Sequence, residues 1–491
     1  MIRADAARPL GGSSTAYWWL PVALLVGALC RFWNLSAGSL FIDEGFTFHV
    51  AALAPKALIS AVAYGDYHPP LFYLVTHYLM QWLHWPLTQY RYLTALAGLV
   101  TIAASWAIAR ARFGAVAAAL TAMTVALAPA LVQSDRLYRM YAPLVALASL
   151  SWWLLIRIED TTVQRRRLLW IAYGLCAVLL PYLQYLGALI VFSQALYALS
   201  RLRHLWPALA MSGVATFAFI PWLWAFHAQY QNGGLVGDLH SAAFSWAVIA
   251  RSVLAYGLSA NIVSQPHFDA LFSAAALAVC AAGLYAGRRS LMPYWCLPIA
   301  MQLILSMTAG KNLMVARYLY AYLPALCIGV SILAAQLLRT RYRLAAVFLC
   351  AAWLAVGVIA VPNLLFDPYY QWPDWKGVNT LLLQNERQGD IVVMVQGAEY
   401  WIVRDLSAFR DRDLEAPMRP ADVTTSLLWL HRHPDRRVWY IENQADSVDK
   451  DRRILRALDQ TRHRMGGWRQ RRLYREDMVH IALYDVPAPR R

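Results

Sequence analysis

Apolar stretches long enough to cross a bilayer recur along this 491-residue chain, most of them closed by a basic cluster, and they settle its fold class before any motif is read. A bilayer core takes about 20 apolar residues in helical form. Cut on that criterion, the chain yields spans near 17–33, 88–109, 114–132, 140–157, 168–184, 186–200, 206–226, 268–286, 291–309, 315–338 and 344–362, eleven helices in all. Hydrophobic residues make up 59% and charged residues 15%, with a mean hydropathy of +0.41. Those values exclude a disordered chain and most soluble globular folds. The 21 Trp and 27 Tyr suit a membrane protein, because amphipathic rings prefer the boundary between hydrocarbon and water.

The net charge of +16 does not point to nucleic acid, since the arginines form no single face. They fall between spans instead, where they set topology. With the N-terminus cytoplasmic, the inside loops hold Arg110 and Arg112; Arg157 with Arg165, Arg166 and Arg167; Arg201 and Arg203; Arg288 and Arg289; and Arg339, Arg341 and Arg343. The opposite loops carry Asp43, Glu44, Asp66, Asp135, Asp238 and Asp269. The run Tyr17–Trp33 resembles a signal peptide but has no convincing small-residue cleavage site, so it reads as an uncleaved first span. All six cysteines lie in apolar stretches without CxxC or Cys/His spacing, which argues against disulfides, zinc and a cysteine nucleophile.

Residues 1–362 therefore read as a transmembrane domain whose first outside loop, 34–90, forms juxtamembrane helices. After Pro362 the pattern changes to charged helices alternating with short strands, and 363–491 reads as a separate soluble α/β domain on the outer side. Strands are expected at Ile391–Val395, Val438–Ile441 and Met478–Val486, with helices near Trp375–Asn385, Ala421–His433 and Asp449–Met465.

Four segments at outside membrane edges carry chemistry. The first, Phe41-Ile42-Asp43-Glu44-Gly45, sets two carboxylates just beyond the first span. Charge near hydrocarbon is costly, about 2.5–3.5 kcal/mol at the centre of a spanning helix. The pair is either a solvated turn with Glu44 at a helix start or a general base whose apolar surroundings tune it toward the working pH. The second, Gly65-Asp66-Tyr67-His68-Pro69-Pro70, holds His68 out of helical geometry through the prolines. The third, Asp135-Arg136-Leu137-Tyr138-Arg139-Met140-Tyr141, could grip a phosphate through its arginines, or form an ordinary ion pair between Asp135 and Arg139. The fourth, Lys311 to Arg317-Tyr318, places bases on the outer side, against the topology trend, where either an anion partner or lipid headgroup contact explains them.

In this order Asp43-Glu44, His68-Pro69-Pro70-Leu71-Phe72-Tyr73, Arg139-Met140-Tyr141-Ala142, Arg317-Tyr318-Leu319, Trp375-Lys376-Gly377 and Gly389-Asp390-Ile391-Val392-Val393 resemble the bacterial membrane glycosyltransferases of the type C fold. That group includes the protein-mannosyltransferase-like, lipid A aminoarabinose-transferase-like and rhizobial galacturonosyltransferase-like enzymes. Leu137 and Tyr138 stand where the family has glutamate and alanine, so the family's second acid is either displaced to Asp135 or lost.

The resemblance implies a polytopic α-helical protein of about eleven transmembrane helices with a C-terminal α/β periplasmic domain. It further implies transfer of a sugar from a polyprenyl-phosphate carrier to a lipid A, glycan or protein acceptor at the periplasmic face of the inner membrane. On that reading Asp43 is the base and Glu44 its partner. His68, Arg139, Lys311 and Arg317 receive the donor phosphate, and Tyr67, Asp135, Arg136, Tyr141 and Tyr318 line the substrate site. A divalent metal is optional, with Glu44 and His68 as its ligands; no spacing demands one. Membrane lipids are the remaining expected partners. An O-antigen ligase or polymerase using a diphosphate-linked donor shares this substrate chemistry. A secondary transporter would place its ionisable groups near the midplane and often show repeats, and neither is seen.

Overall fold

A computed structural model describes residues 18–160, 163–231, 281–288, 292–310, 313–366, 374–385, 387–395, 414–415, 422–442, 448–470 and 479–485, with residues 246, 274, 278 and 279. It divides into two units, Met1–Leu35 with Val50–Phe366, and Ser36–His49 with Asp367–Arg491.

The first unit is helical. It begins with α1 (Trp19–Phe32), and after α2 (Ile42–Ala51) continues through α3 (Pro55–Gly65) and α4 (Leu71–Leu83). Then come α5 (Arg91–Phe113), α6 (Ala115–Ala126), α7 (Pro129–Asp135), α8 (Tyr141–Asp160), α9 (Val163–Leu183) and α10 (Gly187–Ser200). The rest are α11 (Leu202–Phe219), α12 (Leu223–Gln231), α13 (Met292–Thr308), α14 (Ala316–Leu319), α15 (Leu323–Leu337) and α16 (Arg343–Phe366).

Among the described residues five segments are long and apolar enough to cross a membrane: Leu87–Phe113, Tyr141–Asp160, Leu205–Gln231, Arg317–Leu337 and Arg343–Phe366. The pair α6 and α7 makes a sixth if taken as one span bent by 57°. Shorter apolar helices cover Trp19–Phe32, Arg167–Leu183, Gly187–Ser200 and Trp295–Thr308. Most of the span expected at 268–286 lies outside the described residues. The tight connection at 184–186 is a real turn, closed where the Gly187 N–H donates to the Gln184 carbonyl at 2.8 Å.

The bend between α6 and α7 has a local cause. Pro129 forbids helical geometry at Ala128, whose ψ is 112°, and the proline then opens the next helix. A broken helix strands carbonyls in a medium without water. Arg31 of α1 supplies the missing donors: its Nη1 reaches Ala126 O at 2.9 Å and Nη2 reaches Val125 O at 3.4 Å. Its Nε pairs with Asp135 at 2.7 Å, and both side chains are buried. Arg136 returns the contact, its Nη1 donating to Arg31 O at 3.0 Å and to Trp33 O at 2.9 Å, which closes the C-terminal end of α1. Gly98 of α5 leaves the room for this lock, because a Cβ there would overlap the Asp135 carboxylate and sit 2.6 Å from Arg31 Nε.

The second unit contains a five-stranded sheet in the order β2-β1-β3-β5-β4, from β1 (Ile391–Val395), β2 (Leu414–Glu415), β3 (Val438–Glu442), β4 (His463–Gln470) and β5 (Val479–Asp485). Its helices are α17 (Trp375–Asn385), α18 (Asp422–His431) and α19 (Arg453–Thr461). β1 pairs in parallel with β2 and β3, while β5 runs antiparallel to β3 and β4. Parallel strands covered on both faces read as continuous apolar runs, as Ile391–Val395 does with every residue buried. Against it pack Val423 and Leu430 of α18 and Ile454 and Leu458 of α19.

Two features depart from expectation. α16 carries Pro362 inside it and runs on to Phe366. The segment Ser36–His49, read as juxtamembrane loop, groups with the distal residues rather than with the helices around it.

Candidate active site

In the helical unit, the second and third motif segments meet in a buried polar cluster. Pro69 and Pro70 fix His68, whose Nδ1 lies 3.1 Å from Asp66 Oδ1. The backbone here is gripped from α12, where Gln229 Nε2 donates to His68 O at 3.1 Å and Val62 O at 2.8 Å. Tyr73 donates its hydroxyl to Asp66 Oδ2 at 2.5 Å, and Arg139 Nη1 reaches the same phenol oxygen at 3.5 Å. Burial alone would raise the Asp66 carboxyl, but His68, Arg139 and the Tyr73 hydroxyl together hold it below the ordinary carboxylate value. Burial and the neighbouring Asp66 charge push the Tyr73 phenol well up, so it remains a donor at physiological pH.

One atom of the cluster stands out. Among the described residues His68 Nε2 is buried without a hydrogen-bond partner. With Nδ1 turned to a carboxylate, Nε2 is the nitrogen offered to a ligand.

The third and fourth segments are also neighbours. Tyr141, two residues past Arg139, has its ring centroid 6.4 Å from those of both Tyr318 and Tyr320. Arg317 is half-buried, with its guanidinium carbon 5.8 Å from the Tyr318 ring centroid. Tyr138 fills the position where the resembled family has alanine. Its ring packs 5.0 Å from Phe72 and 5.6 Å from Tyr90, and its hydroxyl is 3.1 Å from Thr76 Oγ1.

Asp135 and Arg136, expected as substrate contacts, are engaged by α1 through the lock already described. Tyr67 is half-buried between Asp66 and His68. Lys311 lies outside the described residues. Sequence reasoning missed Arg31, Gln229 and the acid–phenol pair of Asp66 and Tyr73; of these, only the spacing of Asp66 and Tyr73 around His68 was there to be found.

In the second unit, Asp43 and Glu44 sit in the first turn of α2 and behave differently. Glu44 is buried and folds back to accept the Phe41 N–H at 2.7 Å, the reciprocal contact of a helix start. Asp43 is half-buried, and its backbone carbonyl takes the Thr47 hydroxyl at 2.8 Å. Of the two readings of this motif, the helix start fits Glu44. Among the described residues no three His, Cys, Asp or Glu gather to hold a metal ion.

Residues 67–224 match the dolichyl-phosphate-mannose-protein mannosyltransferase family. That stretch takes in His68 and Arg139 and stops short of Asp43 and Arg317. Among solved structures the chain is similar to ArnT from Cupriavidus metallidurans in the apo state, with 16% identity, a TM-score of 0.57 and coverage of 96% of this chain and 98% of that one. The same enzyme bound to undecaprenyl phosphate matches with 14% identity and a TM-score of 0.54 over 96% and 98%. The apo oligosaccharyltransferase of Archaeoglobus fulgidus matches with 12% identity and a TM-score of 0.54, covering 87% of this chain and 69% of that one. No curated protein matches by sequence. At such identities the structural likeness is one of fold.

The pH dependence of the cluster has a definite sign. A carboxyl depressed on folding adds stability that is present above its unfolded value, about 4, and is lost as pH falls through the folded one. Tyr73→Phe removes one of the groups that depress Asp66. The acid-unfolding midpoint of the variant is therefore expected at higher pH than that of the parent, read by intrinsic fluorescence in detergent. An unmoved midpoint would show that Tyr73 does not tune Asp66.

Proposed function

We propose that this chain is a type C membrane glycosyltransferase and moves a single sugar from a polyprenyl-phosphate carrier to a lipid, glycan or protein acceptor, a reading supported by the family match over residues 67–224 and by the fold. The reaction is placed at the periplasmic face of a bacterial inner membrane, with the N-terminus cytoplasmic and the distal unit periplasmic. The observation that carries the reading is His68, whose buried Nε2 lacks a partner among the described residues while Arg139 sits in the same cluster. A buried ring nitrogen beside a guanidinium suits a phosphate oxygen better than water. The similarity to a structure bound to undecaprenyl phosphate supports the same ligand class.

In the inverting displacement we infer, the acceptor hydroxyl oxygen attacks the anomeric carbon and its proton passes to Asp43. The bond from that carbon to the phosphate oxygen breaks, and polyprenyl phosphate leaves with the electron pair. Arg139, Arg317 and Lys311 balance the charge that grows on the leaving group, and His68 binds its oxygen. Glu44 holds the turn that presents Asp43. Tyr67, Tyr141 and Tyr318 supply aromatic surface for the sugar or the prenyl chain.

Purified protein in lipid vesicles, supplied with monosaccharides on polyprenyl phosphate, tests the reading. Transfer to lipid A, a glycan or a peptide supports it; use of diphosphate-linked donors alone overturns it in favour of the ligase alternative. Within that assay Arg317→Ala is expected to raise the donor KM about tenfold or more, since a hydrogen bond to a charged group contributes about 1.5–3 kcal/mol. An unchanged donor KM would remove Arg317 from the phosphate site.

A further inference from the structure

The first turn of a helix leaves N–H groups without partners inside the helix, and at α17 they are met from far away in sequence. Asp374 caps the helix itself, its Oδ1 accepting the Gly377 N–H at 2.9 Å. The next N–H, that of Lys376, donates to Ser39 Oγ at 3.0 Å, and the Ser39 hydroxyl donates to Asp374 Oδ1 at 3.2 Å. Lys376 then folds its side chain along the same segment, Nζ donating to Ala37 O at 2.7 Å and Ser36 O at 3.3 Å. Gly377 completes the arrangement, because a Cβ there would overlap the Asp374 carboxylate.

From Ser39 the chain has little freedom before it reaches the acid. Ser39 and Leu40 are buried. Phe41 gives its N–H to Glu44 and its carbonyl to the N–H groups of Glu44 and Gly45, at 2.9 and 3.0 Å. Asp43 lies inside that closed turn. We propose that Ser39 and Lys376 are positioning residues for Asp43: the N-terminus of α17 is a socket that seats the segment carrying the reaction's base. This inference rests on reading Asp43 as that base, and it explains why Trp375-Lys376-Gly377 stands in a region with no catalytic pattern of its own.

The test uses the full-length protein in vesicles with a polyprenyl-phosphate hexose as donor. Ser39→Ala and Lys376→Met are made singly and in combination with Asp43→Asn. Each single variant is expected to lower kcat about tenfold, the size of one or two lost hydrogen bonds, with the donor KM within about twofold of the parent. Added to Asp43→Asn they are expected to cost nothing further, because a residue that acts only through the base has nothing left to position. Lys376→Arg, which keeps donors near the same carbonyls, should recover most of the rate.

An unchanged kcat, a loss expressed in donor KM, or an equal fold loss in the Asp43→Asn background would each overturn the positioning role. Normal turnover by Asp43→Asn alone would instead defeat the base assignment. Should Ser39→Ala fail to fold, Lys376→Met decides, since its side chain is exposed.

Discussion

Asp43→Asn is expected to reduce sugar transfer by at least about 100-fold while the protein still folds and inserts. General-base assistance supplies about 10²–10⁴-fold in rate, and the amide keeps the shape and most of the hydrogen bonding of the acid while losing the ability to take a proton. The two adjacent acids differ in their surroundings. Glu44 is buried and spends a carboxylate oxygen on the Phe41 N–H, as a helix start requires. Asp43, on the same turn, keeps partial exposure. Turnover by the purified variant with a polyprenyl-phosphate donor, normalised to folded protein, is the measurement. A rate near that of the parent would take Asp43 out of the chemistry.

Asp135→Ala is expected to damage the protein itself. Removing one partner of a buried ion pair leaves the other charged and unpaired, at a cost of about 3–5 kcal/mol, a large part of the 5–15 kcal/mol that holds a typical domain together. Here the stranded group is Arg31, fully enclosed by α1, α5 and the break between α6 and α7. Removing both charges, as Arg31→Met with Asp135→Leu, should recover part of the loss. Recovery stays incomplete, because Arg31 also serves the carbonyls of Val125 and Ala126. Thermal unfolding of detergent-solubilised protein reads both variants. A single variant as stable as the parent but inactive would return Asp135 to the substrate site, where the sequence alone had placed it.

Apolar helices were legible because a continuous apolar run with polar ends is a local mark; among the described residues five of them, or six with α6 and α7 taken together, are long and apolar enough to cross a membrane. The order of the motifs was legible for the same reason. What escaped was long-range. Arg31 reads as the basic end of a span, and nothing in its neighbourhood names a partner 104 residues away. Residues 114–132 read as one span because apolar content continues through Ala128-Pro129, although the proline fixes a break there. The start of β4 falls inside the helix expected near Asp449–Met465, since His463–Gln470 lacks the β-branched alternation that marks a strand and is held as one by pairing with β5. Within the candidate site, the acids and bases were visible as residue types. Their surroundings were not, since whether a carboxylate caps a turn or stays partly exposed depends on backbone geometry that composition does not encode.

The hydrogen bonds between Ser39 and the start of α17 also fix when this segment can be seated. Asp43 leaves the ribosome early, yet Asp374, which helps hold its segment through Ser39, follows 335 residues after that serine. A nascent chain therefore carries the segment around Ser39 unseated until synthesis has passed Asp374.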